Sequence, residues 1–174
     1  MARSKTGTFV LTENVQIAAT ATTGTGTVAT SAYIDVGSNQ GLAVEKVDII
    51  WQDEDTATGV FSTAIGGAIT GNTAFDCQLT DLNPNSLILR ADTNSLIASG
   101  SLNIDDVNNI LTMAPDIIPD EFGKLDQARM VISEQMLVVA TSYSPDNAGD
   151  TMHATVRISC RIVALSKTDW VSIA

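Results

Sequence analysis

His153 is the only histidine in the chain, so acid–base chemistry near neutral pH would have to run through it. A Ser-His-Asp triad would use it as the base, beside a nucleophilic serine. No serine sits in a Gly-x-Ser-x-Gly elbow. The residues around His153 alternate. Met152, Ala154, Val156, Ile158, Cys160 and Ile162 are apolar, while Thr155, Arg157, Ser159 and Arg161 are polar. His153 shares the polar parity, which places it on a solvated strand face. Whether a triad forms is left to geometry.

Carboxylates are the other reactive groups. They cluster at Asp53-Glu54-Asp55, Asp105-Asp106, Asp120-Glu121, and Asp146 with Asp150. Hard cations such as Ca²⁺ take clustered carboxylate and carbonyl oxygens, so Asp53, Asp55, Asp146 and Asp150 are the candidate metal ligands. None of these runs fits the calcium-loop template, and Asp146-Asn-Ala-Gly-Asp150 lacks its closing Glu. Solvated acidic loops, with no metal and no cofactor, are the expectation. Zinc is disfavoured, because one histidine and two distant cysteines make a poor ligand set. Gly24-Thr-Gly26 does not complete a dinucleotide-binding fingerprint, since position 29 is Ala. Cys77 and Cys160 are too few for a disulfide framework. Each lies in an apolar alternation and reads as a small core residue. Pairing between them stays open.

These side chains must be carried by strands. Strict period two over Met152–Ala164 marks a long β-strand with one buried face. Leu42–Trp51 reads as another long strand in which the apolar parity slips at Glu45-Lys46, as a β-bulge would cause. Shorter strands are predicted at Phe9–Leu11, Val15–Ala21, Val28–Val36, Ala74–Leu79, Leu87–Ala91 and Glu134–Ser142. A hairpin turn is predicted at Gly24–Gly26. Asp53–Gly59, Asn83-Pro-Asn85 and Pro145–Gly149 read as loop and turns. The 100–130 region is ambiguous. Ile104, Val107, Ile110 and Leu111 have helical spacing between flanks that read as strand, and 120–130 suits a short helix. Ser166 with Asp169 resembles a helix N-cap leading into Trp170, Val171 and Ile173. The whole indicates an all-β chain: an antiparallel β-sandwich, a single jelly roll of about eight strands with minor short helices.

Composition limits the partners. The chain has 174 residues, 44% hydrophobic and 17% charged, which suits one globular domain over 1–174. Its net charge is −11, which disfavours direct nucleic-acid binding, because phosphate neutralisation by Lys and Arg supplies most of that affinity. An anionic membrane surface is disfavoured for the same reason. Asp outnumbers Glu 15 to 5, and only four lysines occur. Such a surface suits solubility at high salt. No stretch has the form of a signal peptide or the length of a membrane span, so synthesis in the cytoplasm without Sec export is expected.

The strand series ending in Met152–Ala164 and the bulged strand Leu42–Trp51 carry a resemblance. With the acidic, lysine-poor composition, the chain resembles single jelly-roll capsid proteins of icosahedral viruses. It is most similar in character to the small major capsid proteins of haloarchaeal viruses with an internal membrane. The resemblance covers the whole chain and rests on strand number and composition. It implies a non-enzymatic virion protein, made in a host cytoplasm, that self-associates into capsomers, often beside a second capsid chain. It also implies a shell near an internal membrane, without direct nucleic-acid contact and without a small-molecule substrate. The tail 166–174, with Trp170, Val171 and Ile173, then folds onto its own domain or docks on a neighbouring subunit. Alternatives are a phage tail-tube, baseplate or decoration protein, a ligand-binding β-sandwich module, and an enzyme of unknown type.

Overall fold

The computed structural model describes residues 3–62, 72–82, 87–117, 129–143 and 150–173. Within them lie eleven strands and one helix. The strands are β1 (Arg3–Ser4), β2 (Phe9–Ile17), β3 (Thr23–Ala29), β4 (Gln40–Asp55), β5 (Val60–Ser62), β6 (Thr73–Thr80), β7 (Leu96–Asp105), β8 (Ile110–Ile117), β9 (Arg129–Val131), β10 (Gln135–Ser142) and β11 (Thr151–Ala164). The helix is α1 (Lys167–Ile173).

The longest strands form the spine. β11 pairs antiparallel with β4 from Thr151 opposite Glu54 to Ala164 opposite Gln40. The alternation of β11 sends Met152, Ala154, Val156, Ile158 and Cys160 into the core, all essentially inaccessible. The parity slip in β4 is a bulge. Ser159 faces Lys46 and Cys160 faces Val44, so Glu45 is the extra residue. Leu42 and Val44 before it, and Val47 and Ile49 after it, therefore all reach the core. The displaced Glu45 accepts from the Thr8 hydroxyl at 2.9 Å and forms an ion pair with Arg161.

Four antiparallel pairings are nested: β2 with β11, β3 with β10, β4 with β9, and β6 with β7. Rolling that double ribbon brings β11 beside β4 and β10 beside β6. The result is two facing sheets, β2-β11-β4-β9 and β3-β10-β6-β7, which is jelly-roll topology. β1 and β5 extend the first sheet and β8 extends the second. Val15, Ile49, Phe75, Leu79, Leu102, Met136, Val138 and Ile158 fill the space between. Trp51 stacks on Phe75 across the two sheets with ring centroids 5.9 Å apart. A smaller apolar cluster of Ala43, Val163 and Leu165 receives Trp170 and Ile173 from α1. Ser166 caps that helix: Asp169 N–H donates to Ser166 Oγ at 3.1 Å, as the sequence predicts.

Several expected elements differ. Phe9 to Ile17 is one strand, not two. Gly24 and Gly26 lie inside β3 rather than at a turn, and the chain reverses at 18–22, where Ala21 N–H donates to the Ala18 carbonyl. The glycines are there for close approach. A Cβ on Gly24 would sit 2.1 Å from the Gln16 carbonyl oxygen, and one on Gly26 would sit 2.6 Å from Glu13 Oε1. β3 ends at Ala29, so the strand expected to continue to Val36 stops short. Residues 87–90 form no strand. Leu89 donates to Gln78 Oε1 at 2.6 Å and accepts from Gln78 Nε2 at 2.9 Å, so a side-chain amide takes the place of a ladder neighbour. The helical spacing at Ile104, Val107, Ile110 and Leu111 straddles a hairpin turn, where Asn109 adopts a φ of 54°. Asp53, Glu54 and Asp55 belong to β4, because their backbones pair with β5 and Glu54 also pairs with Thr151 of β11. The expected helix at 120–130 gives way to strand β9 at its end. The rest of that segment lies outside the described residues, as do the turns at 83–85 and 145–149.

The glycine packing yields a first prediction. Gly24→Ala and Gly26→Ala should each lower the unfolding free energy by about 1–3 kcal/mol through overpacking, with Gly24→Ala the costlier because it meets backbone. Gly7→Ala, which would meet nothing within 4 Å, should be near neutral in the same urea titrations.

Candidate functional site

The candidate ligands converge at one end of the β4–β11 pair. Asp53 lies on the inner face of β4, in line with Val47, Ile49 and Trp51, and is 1% exposed. Among the described residues, no group donates a hydrogen bond to either of its carboxyl oxygens. The carboxyl that meets it is that of Asp150, also buried, at the mouth of β11. Burial, then the charge and contact of Asp150, then the charge of Asp55, push the Asp53 carboxyl up to about 6. Asp55 is engaged in a turn. It accepts from Thr58 Oγ1 at 2.7 Å and from Ala57 N–H at 2.9 Å, and these bonds hold its own carboxyl below the usual range. Of the four acids singled out by sequence, the fold therefore pairs Asp53 with Asp150 and gives Asp55 to the turn. Asp146 lies outside the described residues. Among the described residues, no group of three or more His, Cys, Asp or Glu side chains is placed to hold a metal ion.

His153 is not solvated. It is 4% exposed, on the outer face of the first sheet, where β2 and β4 flank it and Phe61 of β5 covers it edge-on at 5.1 Å. Polar parity put it on the outer face correctly, but the aromatic lid from β5 carries no sequence signal. Its Nε2 lies 2.7 Å from Glu54 Oε2, and its Nδ1 lies 3.1 Å from Asn14 Oδ1. The Asn14 amide donates to Thr155 Oγ1 at 2.8 Å, so its oxygen faces the ring. Both ring nitrogens therefore face side-chain oxygens. The contacts tie β2, β4 and β11 together across one face.

Cys77 and Cys160 are free thiols on opposite sheets of the same core. Burial first, then the nearby charges of Asp76 and Glu45 respectively, push each up to about 12, which suppresses the thiolate. Of the tail residues, Trp170 and Ile173 pack onto their own domain, and Val171 is exposed. No helix among the described residues is long and apolar enough to cross a membrane.

The most unusual surface was not singled out by sequence. The first sheet is four strands across, because β1 and β2 share one edge of β11, and β5 and β9 share one edge of β4. The second is five across, so its edge strand β8 overhangs. Leu111 and Met113 share the inward face with Ile104 and Leu102, their partners on β7. Yet Leu111 and Met113 are 37% and 51% exposed, where Ile104 and Leu102 are 5% and 1%. The cause is the first sheet. Among the described residues, only β9, opposite Leu42–Val44, and β5, opposite Asp53–Asp55, lie beyond β4. Between them the outer edge of β4 has no strand neighbour among the described residues. A cleft of about 450 Å³ opens there, lined by Ile49, Ile50, Trp51, Leu102, Leu111 and Met113 together with the uncharged polar Gln52 and Ser62. The sequence signal was the charge-free run Ile110–Pro115 directly after Asn108-Asn109.

No family model matches the chain, and no curated protein matches it. Among solved structures, a chain from Desmodium yellow mottle tymovirus is similar at 10% identity, covering 95% of this chain and 94% of that one, with a TM-score of 0.28. At that score the likeness carries no argument.

Asp53 gives a signed prediction. Its folded value lies above the ordinary 3.8, so its contribution to stability is full below pH 4 and is lost as pH rises through about 6. Asp53→Asn should therefore raise the unfolding free energy at pH 8, by up to about 3 kcal/mol at about 1.4 kcal/mol per pH unit. At pH 4 the two proteins should be close. Urea titrations at both pH values read this directly.

Proposed function

We propose that the chain is a shell-forming structural protein of an icosahedral virion, built to self-associate rather than to turn over a substrate. The observation that carries this reading is the overhanging β8 edge on a jelly roll. An uncharged apolar shelf beside a stretch of β4 that has no partner among the described strands is a surface that needs a protein neighbour. Fold alone would not suffice, since jelly rolls also serve lectins and cupins. The occupant is taken to be another copy of the chain, because repeated symmetric contact is how a shell closes from one subunit. A second capsid chain is a further expected partner.

The charge supports the same reading. At −11 the subunit repels its own copies, and an uncharged contact is the place where they approach at least cost. Salt that screens this repulsion should favour assembly. The acidic, lysine-poor surface suits a virus of saline surroundings, with an internal membrane or another protein between this chain and the genome.

Light scattering in low and in molar salt tests this. The expected result is discrete capsomers or megadalton particles in molar salt, from subunits of 18.3 kDa. Met113→Glu should abolish them while leaving the circular dichroism of the subunit unchanged. A monomer under both conditions would count against the reading, and rings or filaments would point to a tail-tube protein.

A further inference from the structure

We infer that the shelf is closed by β8 of a second copy, paired antiparallel across a two-fold axis at Thr112. This rests on the reading of the chain as a self-assembling shell protein and adds the register of contact.

The strand is self-complementary about that residue. A two-fold axis at Thr112 sets Thr112 against Thr112 of the second copy, Leu111 against Met113, and Ile110 against Ala114. Leu111 and Met113 lie on one face of the strand and Ile110, Thr112 and Ala114 on the other, so both faces match their own copy. No charge lies within Ile110–Ala114, and no acid meets an acid across the axis within that span.

The ends of the strand limit the pairing to this stretch. Pro115 has no N–H to donate, so the ladder stops there. Beyond it, β8 bulges against β7, with Ser99 opposite Ile117 and Gly100 opposite Pro115. At the other end the turn at Asn109, with its φ of 54°, bends the chain away. Edge strands are ordinarily protected by charge, proline or a bulge. Here the proline and the bulge guard only the far end, and among the described residues no strand pairs with the outer edge of Ile110–Ala114.

Joining two such edges makes one continuous ten-stranded sheet from two five-stranded ones. It also lays the four side chains Leu111 and Met113 of both copies into one apolar cluster over the clefts. An isologous contact of this kind uses the same patch twice, so one exposed strand suffices.

Cysteine cross-linking at the axis tests the register. Directly opposed antiparallel residues have Cα atoms about 4.5–5.5 Å apart, within the disulfide range of about 4.4–6.8 Å. The two native thiols are buried and stay out of the reaction. Purified Thr112→Cys, oxidised with glutathione disulfide under assembly conditions, should convert mostly to a covalent dimer of twice the subunit mass. Thr25→Cys, on β3 at the opposite edge of the same sheet, should remain largely monomeric on a denaturing gel. Particles that assemble normally while Thr112→Cys cross-links no more than Thr25→Cys would overturn the register and leave the shell reading standing. Absence of cross-linking together with a wild-type monomer in molar salt would overturn both.

Discussion

The pairing of β11 with β4 is the constraint on which the rest of this molecule depends. It runs fourteen residues of β11 against fifteen of β4, Gln40 to Glu54, and the first sheet is built outward from it. One bulge at Glu45 lets a single strand keep apolar residues toward the core on both sides of a parity change. Without that extra residue, either Leu42 and Val44 or Val47 and Ile49 would turn to the outer face. The bulge also explains a buried charge: Glu45 is pushed out of the ladder and held by Arg161 and Thr8. Leaving either member of that pair alone in its half-buried site would be destabilising, as unpaired buried charges are.

The same pairing sets up the two unusual regions. At its open end, β4 outlasts its apolar run, so Asp53 arrives on the inner face where Trp51 and Ile49 precede it. The strand geometry that buries Ile49 also buries Asp53, and the electrostatic cost appears as its raised protonation range. On the outer face of that end, parity directs Glu54 and His153 away from the core, and β5 folds Phe61 over them. Along its outer edge, β4 is paired by described residues only at its two ends. That gap leaves the opposite sheet one strand wider, and β8 exposed.

Much of this was written in the alternation of residues. The long C-terminal strand, the bulge at Glu45-Lys46, the sandwich class and the Ser166 cap follow from patterns of period two or from a short local motif. The misreadings share a cause. Gly24 and Gly26 look like a turn in one dimension, but their role is to let β3 approach β2, a contact between residues distant in the pairing scheme. Leu87–Ala91 has strand-like composition, and only the placement of Gln78 shows that its backbone is satisfied by a side chain. His153 has a solvated parity and a buried environment, because the Phe61 side chain of β5 covers it. Asp53 looked like part of a loop, because an acidic run does not reveal that backbone pairing continues through it. The β8 edge was hidden by accidental helical spacing across a turn. In each case the deciding contact lies between elements, and periodicity within one element carries no information about it.

Hydrogen–deuterium exchange on the separated subunit and on the salt-assembled form tests the central claim most directly. Amides of β4 and β11 paired in the spine should exchange slowly in both states. Amides of Ile110–Ala114 that face the open edge should exchange rapidly in the subunit and become protected on assembly. Protection at β8 that is unchanged between the two states would contradict the account, because the shell would then be held by a different surface.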